Sequence, residues 1–257
     1  MNQARESAQE IMSVGKSLND PRCTSAGLWV LTWIALGSDS YGEALSYSER
    51  SLATAITPID RSIAMGAMGN ALVMLRRLDE AVPTLNQQRR CCIDNGFFYN
   101  IAGSDPFVAL SKIFGGEISV GISVLEEAIL RRQVEGWSAC ADWCRGILAE
   151  VYLQIIARSE RLPILALLKN LPIVLMIAVI GPSRIRALTG HILQNAQFDS
   201  SGQFVGRTQM ILGLLHKTKG RRALAVGHLT NAKRILSQFG QTPILARVET
   251  ALAELGQ

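Results

Sequence analysis

The stretch Leu212–Ala232, LGLLHKTKGRRALAVGHLTNA, decides the fold. It holds two short helical patterns separated by a cationic turn around Gly220. Gly213, Ala225 and Ala232 are small, and Leu212 and Leu229 are large. Two antiparallel helices approach closely only where small side chains face each other, with large ones filling the space to the next helix. A recurrence of this pattern near every 34 residues marks a solenoid built from helix pairs.

The pattern recurs upstream. Tyr41-Gly42-Glu43-Ala44-Leu45, Leu78-Asp79-Glu80-Ala81-Val82 and Gly116-Glu117-Ile118-Ser119-Val120-Gly121-Ile122 each open a second helix with a small residue in its first turns. Ala44 and Ala81 are 37 residues apart, and Ala81 and Gly121 are 40 apart. First helices precede them over residues 24–36, 61–75 and, more weakly, 106–114, with a further one over 141–157. Apolar residues at three- and four-residue intervals predict helix, and no run alternates as a strand does. Asp20-Pro21, Pro58 and Asp105-Pro106 punctuate the helices.

Residues 3–18 read as the second helix of a repeat whose first helix is missing. They are either a capping helix or the tail of something longer. Thr242-Pro243 opens a last helix with Leu245, Val248, Leu252 and Leu255 on one face, a C-terminal cap of the kind repeat arrays need. The expected fold is therefore all-α: a right-handed α-α superhelix of about five helix pairs, one domain over residues 1–257. One segment breaks the period. Residues 159–182 read as an irregular insertion in which Pro172 and Pro182 bracket the apolar run Ile173–Ile180. Bracketed in this way, the run is too short to span a bilayer, which takes about 20 residues. Two readings stand: a helix packed as core against the repeats, or a membrane-surface or partner-binding element. The core reading is the one taken, because a helix apolar all round is normally buried.

The repeat resembles the tetratricopeptide repeat. A narrower likeness rests on Glu150-Val151-Tyr152-Leu153-Gln154-Ile155-Ile156-Ala157, Leu167-Leu168-Lys169-Asn170-Leu171-Pro172 and Leu214-Leu215-His216-Lys217-Thr218-Lys219-Gly220-Arg221-Arg222. In that order they resemble the C-terminal tetratricopeptide region of bacterial fusion proteins that join a class III adenylate/guanylate cyclase domain to an ATPase module. The likeness covers roughly residues 140–255. The cyclase and ATPase motifs themselves are not in this sequence, so no catalytic residue is carried over.

The formal charge of +5 hides an asymmetry. Residues 1–154 hold 13 Lys/Arg against 17 Asp/Glu, and residues 155–257 hold 13 against 4. Lys217, Lys219, Arg221 and Arg222 crowd one turn, a cluster able to attract an anionic surface or remain a solvated turn. No RNA-binding motif or zinc finger accompanies it, so no specific nucleic acid is expected. The five cysteines, with Cys91-Cys92 adjacent and Cys140 and Cys144 one turn apart, do not form a secreted framework. They point to a reducing cytoplasm, as does the polar N-terminus, which has no signal-peptide pattern.

Gly15-Lys16-Ser17 resembles the end of a phosphate loop, but Glu10 stands where that loop needs a glycine. No metalloprotease or nucleophile-elbow motif occurs, and His191, His216 and His228 have no acid or nucleophile nearby in sequence. No catalytic residue, cofactor or metal is expected. The expected function is a scaffold that binds a peptide or partner domain in a helical-repeat groove. The alternative is a regulatory segment of a cyclase/ATPase signalling protein, detached from its catalytic domains. Candidate partner-binding residues are Trp29, Trp33, Asn70 and Glu150 on the inner face of first helices, and the cations Lys217, Lys219, Arg221 and Arg222.

Overall fold

A computed structural model of the chain describes residues 2–157, 164–195, 202–240 and 242–256. Among the described residues there is no strand; the chain is an all-α helical solenoid of consecutively packed helices. It divides after Ser111 into two compact units.

The first unit holds α1 (Asn2–Leu18), α2 (Pro21–Gly37), α3 (Tyr41–Thr54), α4 (Pro58–Met74), α5 (Leu78–Asn95), the short α6 (Phe98–Ala102) and the start of α7 (Asp105–Phe114). Each helix through α5 packs on the next. The weak pattern over 106–114 is α7, and the short α6 precedes it. Pro21 and Pro58 occupy first helical positions, where the missing N–H has no intrahelical acceptor. Thr57 and Asp60 close a reciprocal cap at α4, with each side chain accepting from the other's backbone N–H at 3.2 Å. Gly15, Lys16 and Ser17 lie inside α1.

The second unit holds α8 (Ile118–Val134), α9 (Ser138–Ile156), the short α10 (Ile164–Lys169), α11 (Leu171–Gln194), α12 (Gln203–Thr218), α13 (Arg222–Leu236), a 3-10 turn Ser237–Phe239 and α14 (Pro243–Ala253). α9 packs on α8, α11 and α12; α13 packs on α12 and α14. The expected terminal cap is α14. Thr242 accepts the Leu245 N–H at 3.4 Å, and Leu245, Val248 and Leu252 are buried with Leu229 and Leu236 of α13.

The small-residue register is borne out by burial. Ala44, Ala81 and Ala225 are fully buried, and Gly121 is buried as well. A Cβ added to Gly213 would fall 2.6 Å from Leu229 Cγ, and one added to Gly69 would fall 2.6 Å from Leu85 Cδ2. Gly69 and Leu85 are sixteen residues apart, as are Gly213 and Leu229. The two units thus use one device: a glycine on the first helix receives a leucine from the second. The turns share a second device. Asn19, Asp39, Arg76, Gly116, Gly136 and Gly220 all have positive φ. The next N–H reaches back five residues, as from Arg77 to the Leu72 carbonyl (3.0 Å) and from Arg221 to that of His216 (2.9 Å).

The apolar segment corrects three expectations. Pro182 does not end a helix: α11 runs through it for 24 residues, with mean hydropathy 1.7 in its most apolar window. It is long and apolar enough to cross a membrane. The residues from Leu171 on are also no insertion, because α11 is the antiparallel partner of α9. Asp142, near the start of α9, accepts from Asn195 just after α11, at 2.5 Å. Ile156, the last residue of α9, lies over Gly181. Residues 158–163, which include the first part of the predicted insertion, lie outside the described residues. The expected core role fails as well. Ile177, Gly181, Ile185, Thr189 and Ile192 form the buried stripe, while Leu175, Met176, Val179 and Ile180 are exposed. The physical reason is that α9 ends opposite Gly181, so the first part of α11 runs past it.

Candidate functional site

Of the eight residues expected to meet a partner, the structure brings only some to an accessible surface. Trp29 on α2 is exposed. Trp33, one turn later, is half-buried, with its ring against Gly103. Asn70 on α4 is buried and donates to the Gly103 carbonyl at 3.4 Å, holding the α6–α7 turn. Glu150 on α9 is buried and joins three helices. Arg207 of α12 meets its Oε2 at 2.9 Å and Arg247 of α14 its Oε1 at 3.2 Å. Two guanidiniums on one buried carboxylate make a clamp, and its removal would take a shared buried partner from both cations.

The cationic turn divides its four residues. Lys217 pairs with Glu254. Arg222 opens α13 and lies beside Gly256. Lys219 and Arg221 face a pocket of about 270 Å³ completed by Arg186, Val179 and Pro182 of α11 and by Leu215 and His216 of α12. His216 is buried, and its ring stacks on that of His228 with centroids 5.4 Å apart. His228 Nδ1 lies 2.8 Å from the Gln209 side-chain oxygen. Burial, His228, Arg221 and Arg186 push the His216 imidazole below its ordinary value, and burial does the same to His228. Both shifts favour the neutral imidazole, and the pocket that His216 lines is otherwise positive.

A larger groove of about 390 Å³ opens on the other side of α11, among α8, α9 and α11. Ile129 and Leu130 of α8, Leu148 of α9 and Leu188 of α11 supply apolar walls. Glu126, Arg145, Arg184 and His191 supply charge of both signs. Arg145 is held by Asp142 at 2.5 Å. The Tyr152 hydroxyl faces Glu126, and burial together with that carboxylate pushes the phenol up, so it remains a donor. Leu130 is 65% exposed, an open apolar wall beside a buried floor of Ile129 and Leu148. Sequence reading missed this groove because its residues come from three helices and form no local motif. Only the Glu126–Ile129–Leu130 spacing on α8 hinted at a mixed face.

Cys23, Cys91, Cys92, Cys140 and Cys144 are all free thiols, with Cys92 and Cys144 buried. Among the described residues, no group of three or more His, Cys, Asp or Glu lies close enough to hold a metal ion.

No family model matches the chain, and no curated protein matches it. Among solved structures it is similar to BtubC (BKLC) from P. vanneervenii, at 17% identity over 94% of this chain and 92% of that one. The TM-score is 0.49.

Proposed function

We propose that the chain is a non-catalytic interaction module of tetratricopeptide-like helix pairs, and that it binds a peptide or a partner's loop in the groove among α8, α9 and α11. The observation that carries this reading is the groove itself. About 390 Å³ is room for one or two side chains. An apolar floor flanked by Arg184, His191 and Glu126 favours an aliphatic anchor beside a charged or hydrogen-bonding neighbour. The helix-pair scaffold supports the reading because such arrays fix a surface without moving parts.

A displayed library of random peptides, panned on the purified chain, tests it. Enriched peptides should carry an aliphatic anchor and lose binding to the Leu188→Glu variant. They should keep binding to Leu175→Glu, which lies on the opposite side of α11. Failure to enrich any peptide, or indifference to Leu188→Glu, would remove the proposal.

A further inference from the structure

The outer face of α10 and the first half of α11 is apolar and is covered by no described residue. Leu165, Leu168, Leu171, Leu175, Met176 and Val179 are all exposed, Val179 by 79%. Scattered apolar residues on a surface need no explanation, but a contiguous set on consecutive turns marks an interaction surface. Its occupant is indicated by what surrounds it. α10 and α11 together contain no carboxylate, and Lys169 at the end of α10 and Arg186 of α11 flank the apolar patch. At its far end lies the pocket that gathers Arg186, Lys219 and Arg221 beside Val179. None of these three cations forms an ion pair with another described residue. Arg221 and Arg222 also stand at the start of α13, where the helix dipole adds to the positive field.

An exposed apolar strip beside unpaired cations matches the boundary between acyl chains and anionic headgroups, where apolar burial and charge attraction act together. A protein partner would more commonly meet such a strip with a mixed polar rim of both signs. Lying on the surface also fits better than crossing it. Crossing would strip the Ile177–Ile192 stripe from α9 and carry Arg184 and Arg186 into hydrocarbon, where charged side chains are costly.

We propose that α10 and the first half of α11 dock on an anionic membrane surface. Leu175, Met176 and Val179 enter the acyl boundary, and Arg186, Lys219 and Arg221 bind lipid phosphates. The groove on the other side of α11 then faces away from the lipid and stays accessible.

The test uses the full chain and phosphatidylcholine vesicles with or without phosphatidylglycerol, read by flotation at low and high salt. Binding should require phosphatidylglycerol and weaken with salt. The double variants Leu175→Glu/Val179→Glu and Lys219→Glu/Arg221→Glu should each lower partitioning at least about tenfold, with helicity unchanged by circular dichroism. A Val179→Trp variant supplies an independent readout if a charge variant unfolds: its added emission should shift to the blue on anionic vesicles. No binding to anionic vesicles, or an unshifted Val179→Trp emission, overturns the proposal. So does a concentration-dependent dimer that Val179→Glu abolishes while vesicles stay unbound, since the occupant would then be a second copy.

Discussion

α11 is more apolar than either helix of the neighbouring α12–α13 pair, yet it leaves more of its apolar surface uncovered. In the pair, Leu229 enters the space above Gly213, and α14 helps to bury Leu229, Ala232 and Leu236 of α13. Around α11, one stripe meets α9 and the opposite face of its first half meets nothing among the described residues. Apolar content therefore does not determine burial. What determines it is whether the next element reaches far enough to cover the face. α14 does so for α13, whereas α9 stops at Ile156.

The comparison is broken most severely at Glu150. Glu150→Ala should destabilise the second unit by about 3 kcal/mol, because Arg207 and Arg247 lose a shared buried carboxylate. Equilibrium urea unfolding measures this. The close contact comes next. Gly213→Ala and Ala225→Leu each overpack the α12–α13 seam and should cost about 1–3 kcal/mol; a melting curve unchanged by both would show that the seam is loose. Gly220→Ala sharpens the point, since nothing lies near the added Cβ and only the positive φ of 67° resists it. It should cost about 1 kcal/mol. The smallest effect is that of pH. His216 and His228 are held neutral in the fold, so the unfolded chain binds more protons below the ordinary value of 6.5. Their contribution is full above that value and is lost as pH falls below it. Thermal melts should show this loss between neutral and mildly acidic pH, and His216→Gln should flatten it.

The regular part of this fold was legible because its device is local. Gly213, Ala225 and Leu229 announce their contact by spacing alone, and Ala44 and Ala81 repeat it. The ends of α11 were not legible. A proline normally breaks a helix, yet Pro182 sits beside the exposed Val179, where a lost backbone bond is open to water and costs least. The expectation that Ile173–Ile180 would be core failed for a related reason: periodicity reports which face is apolar, not which neighbour exists to cover it. The candidate site was legible in part. Lys219 and Arg221 of the cationic turn line a pocket, whereas Lys217 is engaged by Glu254, far along the chain. Asn70 and Glu150 were placed on an inner face by register, and long-range partners that no local pattern reveals bury both.

The central claim is that α11 has one structural face and one free face, and a pair of substitutions on that helix tests it most directly. Ile185 is fully buried and Val179 is 79% exposed. Urea unfolding of Ile185→Ala should show a loss of about 2–5 kcal/mol, and Val179→Ala a change within about 0.5 kcal/mol. Comparable losses from both substitutions would contradict the account, because α11 would then be covered on both sides.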